Sequence, residues 1–286
     1  MRIRAPAKIN LSLRVIGKRL DGYHLLDSVM VPVSLYDVIE ICKLKRTSNP
    51  AGARITVNCD HPLVPSGEKN IVYGAARILM QQADADQPVH IQIHKRIPVG
   101  AGLGGGSTDA AATLIGLNRL FKLHLTETRL EKLALSLGAD VPFFIRGRPA
   151  RARGIGERLR PLRGLANLWL VIIYPGFPVS TAWAYQNLRI KLTKPIVNTS
   201  IATSLKSFEK LAGLLVNDLE SVTLDRYPKI RLLKEKLLRA GALGGLMSGS
   251  GSSVFGLFES KGMAQRAYNK LRHEEGVQAF LVRMLS

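Results

Sequence analysis

The chain has 286 residues, 46% of them hydrophobic, and its formal net charge is +20. This length accommodates one large domain or two ordinary domains with a proper core. No apolar run approaches the ~20 residues of a bilayer span, and Arg2 and Arg4 are not followed by the apolar stretch of a signal peptide. We therefore expect a cytoplasmic protein that does not enter a membrane.

The first predicted strand covers residues 3–15, and from Lys8 onward its residues alternate strictly between apolar and polar. Ile9 and Leu11 face a core, whereas Lys8, Asn10, Ser12 and Arg14 share the opposite face. Such a polar face at a sheet edge is usually solvated, so Lys8 is either a surface lysine or a functional cation. The Asp21-Gly22 pair that follows predicts a hairpin turn, directly before Tyr23 and His24.

The rest of the first half mixes strands and helices. Strands are predicted at residues 29–33, 38–43, 55–59 and 89–95, and helices at 71–82, 109–121 and 128–137. Cys42 and Cys59 lie in strand-like runs, where we expect small core residues rather than a disulfide framework. The six histidines show no metal-ligand spacing, so we expect no structural metal.

A glycine-rich loop follows the strand at 89–95. Its residues are Pro98, Val99, Gly100, Ala101, Gly102, Leu103, Gly104, Gly105, Gly106, Ser107 and Thr108. Glycine allows close approach of the backbone to a bulky anion, and Ser107, Thr108 and Asp109 are residue types that cap a helix. A capped helix start after a glycine loop offers free N–H groups to a phosphate. The alternative is a mobile glycine hinge.

Two familiar phosphate-binding motifs do not fit this loop. Gly100, Gly102 and Gly105 match the dinucleotide pattern, but that pattern requires a second strand ending in an acidic residue, and residues 126–138 have helical spacing instead. The Walker A motif requires a lysine where this chain has Gly106. The cationic contribution to a phosphate site must therefore come from elsewhere in the sequence.

Asp140 stands alone in an apolar stretch that runs from Gly138 to Phe144. A carboxylate in such a place is either a structural cap or a reactive group in a low-dielectric site. The following passage, residues 147–164, is predicted to be rich in turns and is crowded with arginine. It lacks interleaved aromatic residues and any known RNA-binding module, so we favour a basic, solvated surface over a nucleic-acid site.

The second half is predicted to alternate strands and helices in an α+β pattern. Strands are expected at residues 169–174, 253–258 and 279–283, and helices at 181–188, within 204–240 and at 261–273. A second glycine-serine loop, within residues 241–256, lies between a helix and a strand. We expect a structured turn there rather than a flexible linker.

With these segments identified, the chain resembles the GHMP superfamily of small-molecule kinases. The matching segments are P-A-K-I-N-L-S-L-R-V, D-G-Y-H, P-V-G-A-G-L-G-G-G-S-T-D, G-A-D-V-P-F-F and S-G-S-G, in the family's order and spread over essentially the whole chain. The resemblance implies a two-domain α+β fold, with a ribosomal protein S5 domain 2-like N-terminal domain (residues 1–160) and a ferredoxin-like C-terminal domain (161–286). It also implies ATP and Mg²⁺ as cofactors.

The resemblance assigns roles to residues of this chain. Lys8 and Asp140 become the catalytic pair, and the loop from Pro98 to Thr108 becomes the ATP triphosphate site. The chemistry of the loop itself predicts the hydroxyl of Ser107 as a protein ligand of Mg²⁺, with Asp109 as a further candidate that is otherwise a carboxylate of the first helical turn. Lys95 and Asn70 fall near the adenine. The residues implied for a cytidine diphosphate substrate are Asn10 near the accepting alcohol, Tyr23 and His24 in the cytidine pocket, Thr181, and Tyr185 stacked on the cytosine. Gly249 and Gly251 resemble the superfamily's third motif.

The implied reaction is ATP-dependent phosphorylation of an alcohol of this substrate, in non-mevalonate isoprenoid precursor biosynthesis, by a monomer or homodimer. Two alternatives stay open at this point. One is another GHMP kinase, acting on mevalonate, homoserine or a sugar, to which Tyr23, His24 and Tyr185 would be of no use. The other, from a different class, is a basic RNA-binding protein on a related α+β module, which would bind RNA in a salt-dependent way.

Overall fold

The computed structural model describes residues 1–45, 54–82, 87–164, 168–188 and 211–285. The strands are β1 (Arg2–Lys18), β2 (His24–Lys43), β3 (Ile55–Cys59), β4 (Val89–His94), β5 (Ala150–Gly154), β6 (Arg158–Pro161), β7 (Trp169–Tyr174), β8 (Val216–Asn217), β9 (Gly244–Met247), β10 (Val254–Phe258) and β11 (Gln278–Arg283). The helices are α1 (Ile71–Gln82), α2 (Gly105–Leu120), α3 (Glu127–Leu135), α4 (Val141–Arg146), α5 (Thr181–Asn187), α6 (Glu220–Arg226), α7 (Pro228–Arg239) and α8 (Lys261–Leu271). Predicted helical residues within 204–210 lie outside the described part of the chain.

The structure divides into two compact units. Unit one consists of Met1–Ala7, Leu35–Val99 and Gly104–Gly147, and unit two of Lys8–Ser34, Gly100–Leu103 and Arg148–Ser286. The long strands β1 and β2 and the glycine-rich loop therefore contribute residues to both units. The proposed domain division at residue 160 stays a prediction.

Unit one is a sheet packed with four helices. Strand β3 is parallel to β4, β4 is antiparallel to β2, and β1 is the next neighbour of β2. The inward residues Ile39, Ile41, Ile91 and Ile93 are fully or almost fully buried, as the alternation along these strands predicts. Helices α1 and α2 pack on each other, and α2 packs on α4.

Unit two contains a four-stranded antiparallel sheet in the order β11-β7-β10-β9. Numbered by their order along the chain, these strands are arranged 4-1-3-2, the order of the predicted ferredoxin-like domain. Helices α7 and α8 bury one face each in the core of this unit, through residues such as Ile230, Leu237, Ala264 and Leu271. In the same unit β8 pairs in parallel with β1, and β5 is antiparallel to β2.

Three predicted features of the elements are wrong. The strands expected at 29–33 and 38–43 form one continuous strand, β2. The intervening Asp37 does not break it, because its fully buried carboxylate accepts hydrogen bonds from the backbone N–H groups of Arg96 and Ile97. The turn-rich passage after Gly147 contains a hairpin, β5–β6, whose Arg151 forms a buried ion pair with Asp27. Cys42 is exposed and Cys59 half-buried rather than in the core.

The start of α2 also differs from the prediction. The helix begins at Gly105, four residues earlier than expected, and Gly104 takes the capping position in the left-handed region with a φ of 74°. No side chain caps it, so Ser107, Thr108 and Asp109 lie inside its first turns. Glycine takes the position because a side chain is strained at this φ. Within the described ranges, none of the helices has the length and apolar character to cross a bilayer.

Candidate active site

The middle of the glycine-rich loop is held by backbone contacts within unit two. The N–H of Val179 donates to the carbonyl of Gly100 (3.0 Å), and the N–H of Ser253 donates to the carbonyl of Ala101 (3.1 Å). The hydroxyl of Ser248 donates to the carbonyl of Gly102 (3.0 Å). A Cβ on Gly102 would lie 2.0 Å from the carbonyl oxygen of Ser248, and its φ is +75°. No side chain fits at this position.

The contacts of Ser248 and Ser253 come from the second glycine-serine loop, which is a structured turn, as predicted. Asn217 at the end of β8 supports this turn, since its side-chain amide donates to the carbonyls of Met247 (2.8 Å) and Gly249 (2.7 Å). A Cβ on Gly249 would lie 3.1 Å from the carbonyl of Gly102. One glycine turn is therefore packed backbone to backbone on another.

Lys8 lies beside these turns and is only 5% exposed. Its N–H donates to the carbonyl of Leu103 (2.9 Å), and its ammonium nitrogen is 3.3 Å from the position of a Cβ on Gly249. The polar face of β1 is thus buried rather than solvated at this point, because the glycine-serine turn lies against it, and β1 itself lies between β2 and β8 instead of at an edge. Burying an ammonium is costly unless it is paired, which distinguishes Lys8 from a surface lysine.

A chain of hydrogen bonds fixes the Lys8 ammonium. It donates to Oδ1 of Asn10 (2.6 Å), and Nδ2 of Asn10 donates to Oγ of Ser28 (2.8 Å). The Ser28 hydroxyl then donates to the carbonyl of Ser12 (2.6 Å). All four residues are at most 5% exposed. Because its oxygen and its nitrogen both form these hydrogen bonds, the Asn10 amide orients Lys8. The predicted contact of Asn10 with the phosphoryl acceptor stays a prediction.

Asp140 is in unit one, half-buried, immediately before α4. Its side chain does not cap that helix, while Val141, Pro142 and Phe143 behind it are buried. The apolar surroundings predicted from the sequence are therefore present. Lys8 belongs to unit two, and the pairing of the two side chains stays a prediction.

A second buried charge network, in unit one, joins Asp37, Lys95 and Asp109. The Lys95 ammonium donates to Oδ2 of Asp37 and, at 2.8 Å, to Oδ2 of Asp109. Each of the three side chains is at most 3% exposed. The two carboxylates raise the pKa of Lys95 despite its burial.

Asp109 differs from Asp37 in how its oxygens are satisfied. Asp37 accepts two backbone hydrogen bonds as well as the lysine, whereas Oδ1 of Asp109 has no hydrogen-bond partner among the described residues. Burial raises the pKa of Asp109 to about 8, against the opposing effect of the Lys95 ammonium and with a further increase from Asp37. Asp109, which accepts fewer hydrogen bonds than Asp37, is thus the one of the two whose pKa is raised.

Ser107 is half-buried on the first turn of α2, directly before the buried Thr108. The Thr108 hydroxyl also lacks a partner within the described ranges. Mg²⁺ in phosphoryl-transfer sites keeps several waters and is bound by few protein groups together with the substrate phosphates, and the role of Ser107 as a ligand stays a prediction. No cluster of three or more His, Cys, Asp or Glu side chains suited to a metal occurs in the part of the chain that the structure describes.

The residues predicted to bind cytidine are partly brought together. His24 and Tyr185 stack in unit two, with ring centroids 5.1 Å apart and planes inclined by 24°. Burial, with a smaller contribution from Lys18, lowers the pKa of His24, so its imidazole is neutral at pH 7. Tyr23 is 60% exposed at the hairpin turn, and the Thr181 hydroxyl lies 3.0 Å from that of Ser250.

Asn70, predicted near the adenine, lies at the start of α1. Its Oδ1 accepts from the N–H of Val72 (2.9 Å), and its Nδ2 donates to the carbonyl of Pro65 (2.7 Å). The role toward adenine stays a prediction for Asn70 and for Lys95.

Sequence reasoning missed Ser28 and Asp37. Neither belongs to a motif, and both lie on β2, far along the chain from the groups that they contact. The available signal was weak, because β2 contains several other polar residues besides these two.

Comparisons with known proteins agree over the whole chain. The model of the GHMP kinases N terminal domain matches residues 70–148, and that of the GHMP kinases C terminal domain matches residues 198–278. A relative from Citrifermentans bemidjiense, named 4-diphosphocytidyl-2-C-methyl-D-erythritol kinase, is 49% identical, covering 100% of this chain and 99% of the relative. A relative of the same name from Syntrophotalea carbinolica is 47% identical, covering 97% and 96%.

Solved structures give the same picture. A crystal structure of 4-(cytidine 5'-diphospho)-2C-methyl-D-erythritol kinase matches with a TM-score of 0.84 and 36% identity, covering all of both chains. Homoserine kinase from Cytophaga hutchinsonii matches with a TM-score of 0.77 and 20% identity, covering 100% of this chain and 94% of that one. The match to homoserine kinase shows a shared fold alone.

Proposed function

The chain belongs to the GHMP kinase family, and we propose that it transfers the γ-phosphoryl group of ATP to the 2-hydroxyl of 4-diphosphocytidyl-2-C-methyl-D-erythritol, a step of non-mevalonate isoprenoid precursor biosynthesis. The observation that carries the proposal is the buried Lys8 ammonium beside the glycine-rich loop. A fixed cation next to backbone that admits no side chain suits a polyphosphate. The names of the full-length relatives supply the acceptor.

The loop and Lys8 together provide positioning and charge neutralisation, which phosphoryl transfer needs more than covalent chemistry. The backbone of residues 98–108 binds the triphosphate, and Lys8 neutralises charge that develops on the transferred group. Asn10 and Ser28 hold the ammonium in one orientation. Such preorganisation lowers the cost of reorganisation at the moment of reaction.

Asp140 is the proposed general base. Its carboxylate accepts the proton of the substrate hydroxyl while the new oxygen–phosphorus bond forms and the bond between the γ-phosphorus and the leaving ADP oxygen breaks. The second role proposed for Lys8 is to pair with this carboxylate. The buried apolar residues of the short α4 lie directly behind the half-buried Asp140.

Ser107 is the proposed protein ligand of Mg²⁺. When bound, the ion neutralises phosphate charge. The hydroxyl of Ser107 would hold it from the first turn of α2, whose N–H groups face the same anion.

Tyr23, His24 and Tyr185 are proposed to bind the cytidine end of the acceptor, with Thr181 at the start of α5. A neutral imidazole both donates and accepts a hydrogen bond, which suits the edge of a nucleobase. The rings of His24 and Tyr185 are 5.1 Å apart, too close for a base between them, so the base stacks on an outer face. We place the enzyme in the cytoplasm, as a monomer or homodimer.

Release of ADP with each acceptor supplied in turn tests the proposal. We expect turnover with 4-diphosphocytidyl-2-C-methyl-D-erythritol, and background rates with mevalonate, homoserine or no acceptor. Turnover with mevalonate or homoserine instead would assign another GHMP reaction. Salt-sensitive RNA binding that survives Asp140→Ala, with no ADP release from any acceptor, would favour the basic RNA-binding alternative.

A further inference from the structure

We propose that Asp37, Lys95 and Asp109 form a buried, hydrogen-bonded staple that joins the two ends of the phosphate-binding loop and thereby sets the affinity for ATP. The three are positioning residues, since they act through the loop backbone. The consequence for ATP rests on the proposed function, whereas the staple itself rests on contacts within unit one.

The first end of the staple holds the residues that lead into the loop. Oδ1 of Asp37 accepts hydrogen bonds from the N–H groups of Arg96 (2.6 Å) and Ile97 (2.8 Å). Pro98 follows immediately, so the direction in which the chain enters the loop is fixed by a fully buried carboxylate. The N–H of Lys95 donates to Oδ1 of Asp60 (2.9 Å), and this hydrogen bond fixes the backbone directly before Arg96.

The second end holds the residues that leave the loop. Oδ2 of Asp109 accepts from the same Lys95 ammonium at 2.8 Å, and Asp109 lies one turn into α2. The ammonium also lies directly under the helix start, since a Cβ on Gly105 would be 3.1 Å from Nζ of Lys95. One lysine therefore ties the entry of the loop to its exit.

Burial makes this network strong enough to act as a staple. Exposed ion pairs contribute little, but each of these side chains is at most 3% exposed, where removal of one contact is costly. Glycine-rich loops lose much backbone entropy on ordering. Fixing both ends before ATP arrives removes part of that cost from the binding step.

Asp109→Leu is the informative variant, because it removes one end of the staple and leaves Lys95 balanced by Asp37. We expect the amide hydrogens of residues 99–108 to exchange about tenfold faster, since the ordered loop becomes a minor conformation. The Kd of a non-hydrolysable ATP analogue should rise about tenfold for the same reason. The KM of the cytidine acceptor should stay unchanged.

Two further variants control this test. Asp109→Asn keeps an oxygen for the lysine and should restore most of the protection and affinity. Glu131→Leu makes the same change in a partly buried ion pair of unit one, with Arg146, and should leave both measurements at the wild-type level. A folded Asp109→Leu with wild-type loop exchange and wild-type Kd would overturn the staple.

A second measurement covers the case in which Asp109→Leu does not fold. In the wild-type chain the N–H groups of Arg96 and Ile97 should exchange slowly, although Arg96 is exposed, and fast exchange of both would contradict the first end of the staple. Hydrogen exchange requires no turnover. A chain with a stapled loop and no kinase activity would therefore refute the proposed function alone.

Discussion

The middle and the two ends of the glycine-rich loop are held by different forces. Residues Gly100–Leu103, in unit two, are held by uncharged hydrogen bonds to their backbone carbonyls and admit no side chain at Gly102. The ends, in unit one, are held by a buried lysine between two carboxylates. The middle is therefore sensitive to added volume, whereas the ends are sensitive to a change of charge.

The largest effect is expected from added volume in the middle of the loop. Gly102→Ala should lower the free energy of unfolding by about 3 kcal/mol, because a Cβ combines left-handed strain with overpacking. Urea denaturation measures the loss. Gly106→Ala is the matched control, since its nearest neighbour, Cγ2 of Ile71, is at an ordinary 3.8 Å. Equal stability of the two variants would contradict the close packing at Gly102.

The ends should respond to pH instead. Because the pKa of Asp109 is raised to about 8 in the folded chain, the folded state binds more protons than the unfolded state above pH 4. The contribution of Asp109 to the free energy of unfolding is complete below pH 4 and is lost as the pH rises through 8. The free energy of unfolding falls by no more than about 1.4 kcal/mol for each pH unit in this range.

Denaturant titrations of the wild type and Asp109→Asn between pH 5 and pH 8 measure this contribution. The asparagine has no proton to lose, so its free energy of unfolding should decline less steeply with pH. Parallel curves for the two proteins would show that Asp109 does not titrate in this range.

A smaller effect is expected in the hydrogen-bonded chain behind Lys8. Ser28→Ala leaves Nδ2 of Asn10 buried without its acceptor, which should loosen the ammonium and lower kcat about tenfold. The KM for ATP should change little, and Ser28→Thr, which retains the hydroxyl, should recover most of kcat. Steady-state kinetics measures kcat for both variants. Equal losses of kcat in Ser28→Ala and Ser28→Thr would instead indicate a smaller fraction of folded enzyme.

The elements that were predicted well are those fixed by local pattern. Strand β3 and helix α1 have the predicted bounds, Ile55–Cys59 and Ile71–Gln82, because period and flanking residues mark them. The glycine loop, the Asp21-Gly22 turn and the family were also legible from the sequence, and the comparisons confirm the family.

What the sequence did not reveal depends on contacts between distant residues. Two strands were predicted where β2 is continuous, because the N–H groups that satisfy the intervening Asp37 belong to Arg96 and Ile97, about sixty positions away. The pattern of β1 left Lys8 open between a surface lysine and a functional cation, because the turn beside its ammonium, at Gly249, is some 240 positions on. Polar residues were misjudged wherever tertiary contacts satisfied them.

Turnover of Asp140→Ala and Asp140→Asn, alongside binding of a non-hydrolysable ATP analogue, tests the proposed chemistry most directly. With the base removed, we expect kcat for the cytidine acceptor to fall by about two to four orders of magnitude, while the Kd of the analogue stays within about twofold of the wild type. Near-normal turnover in either variant would contradict proton transfer to Asp140.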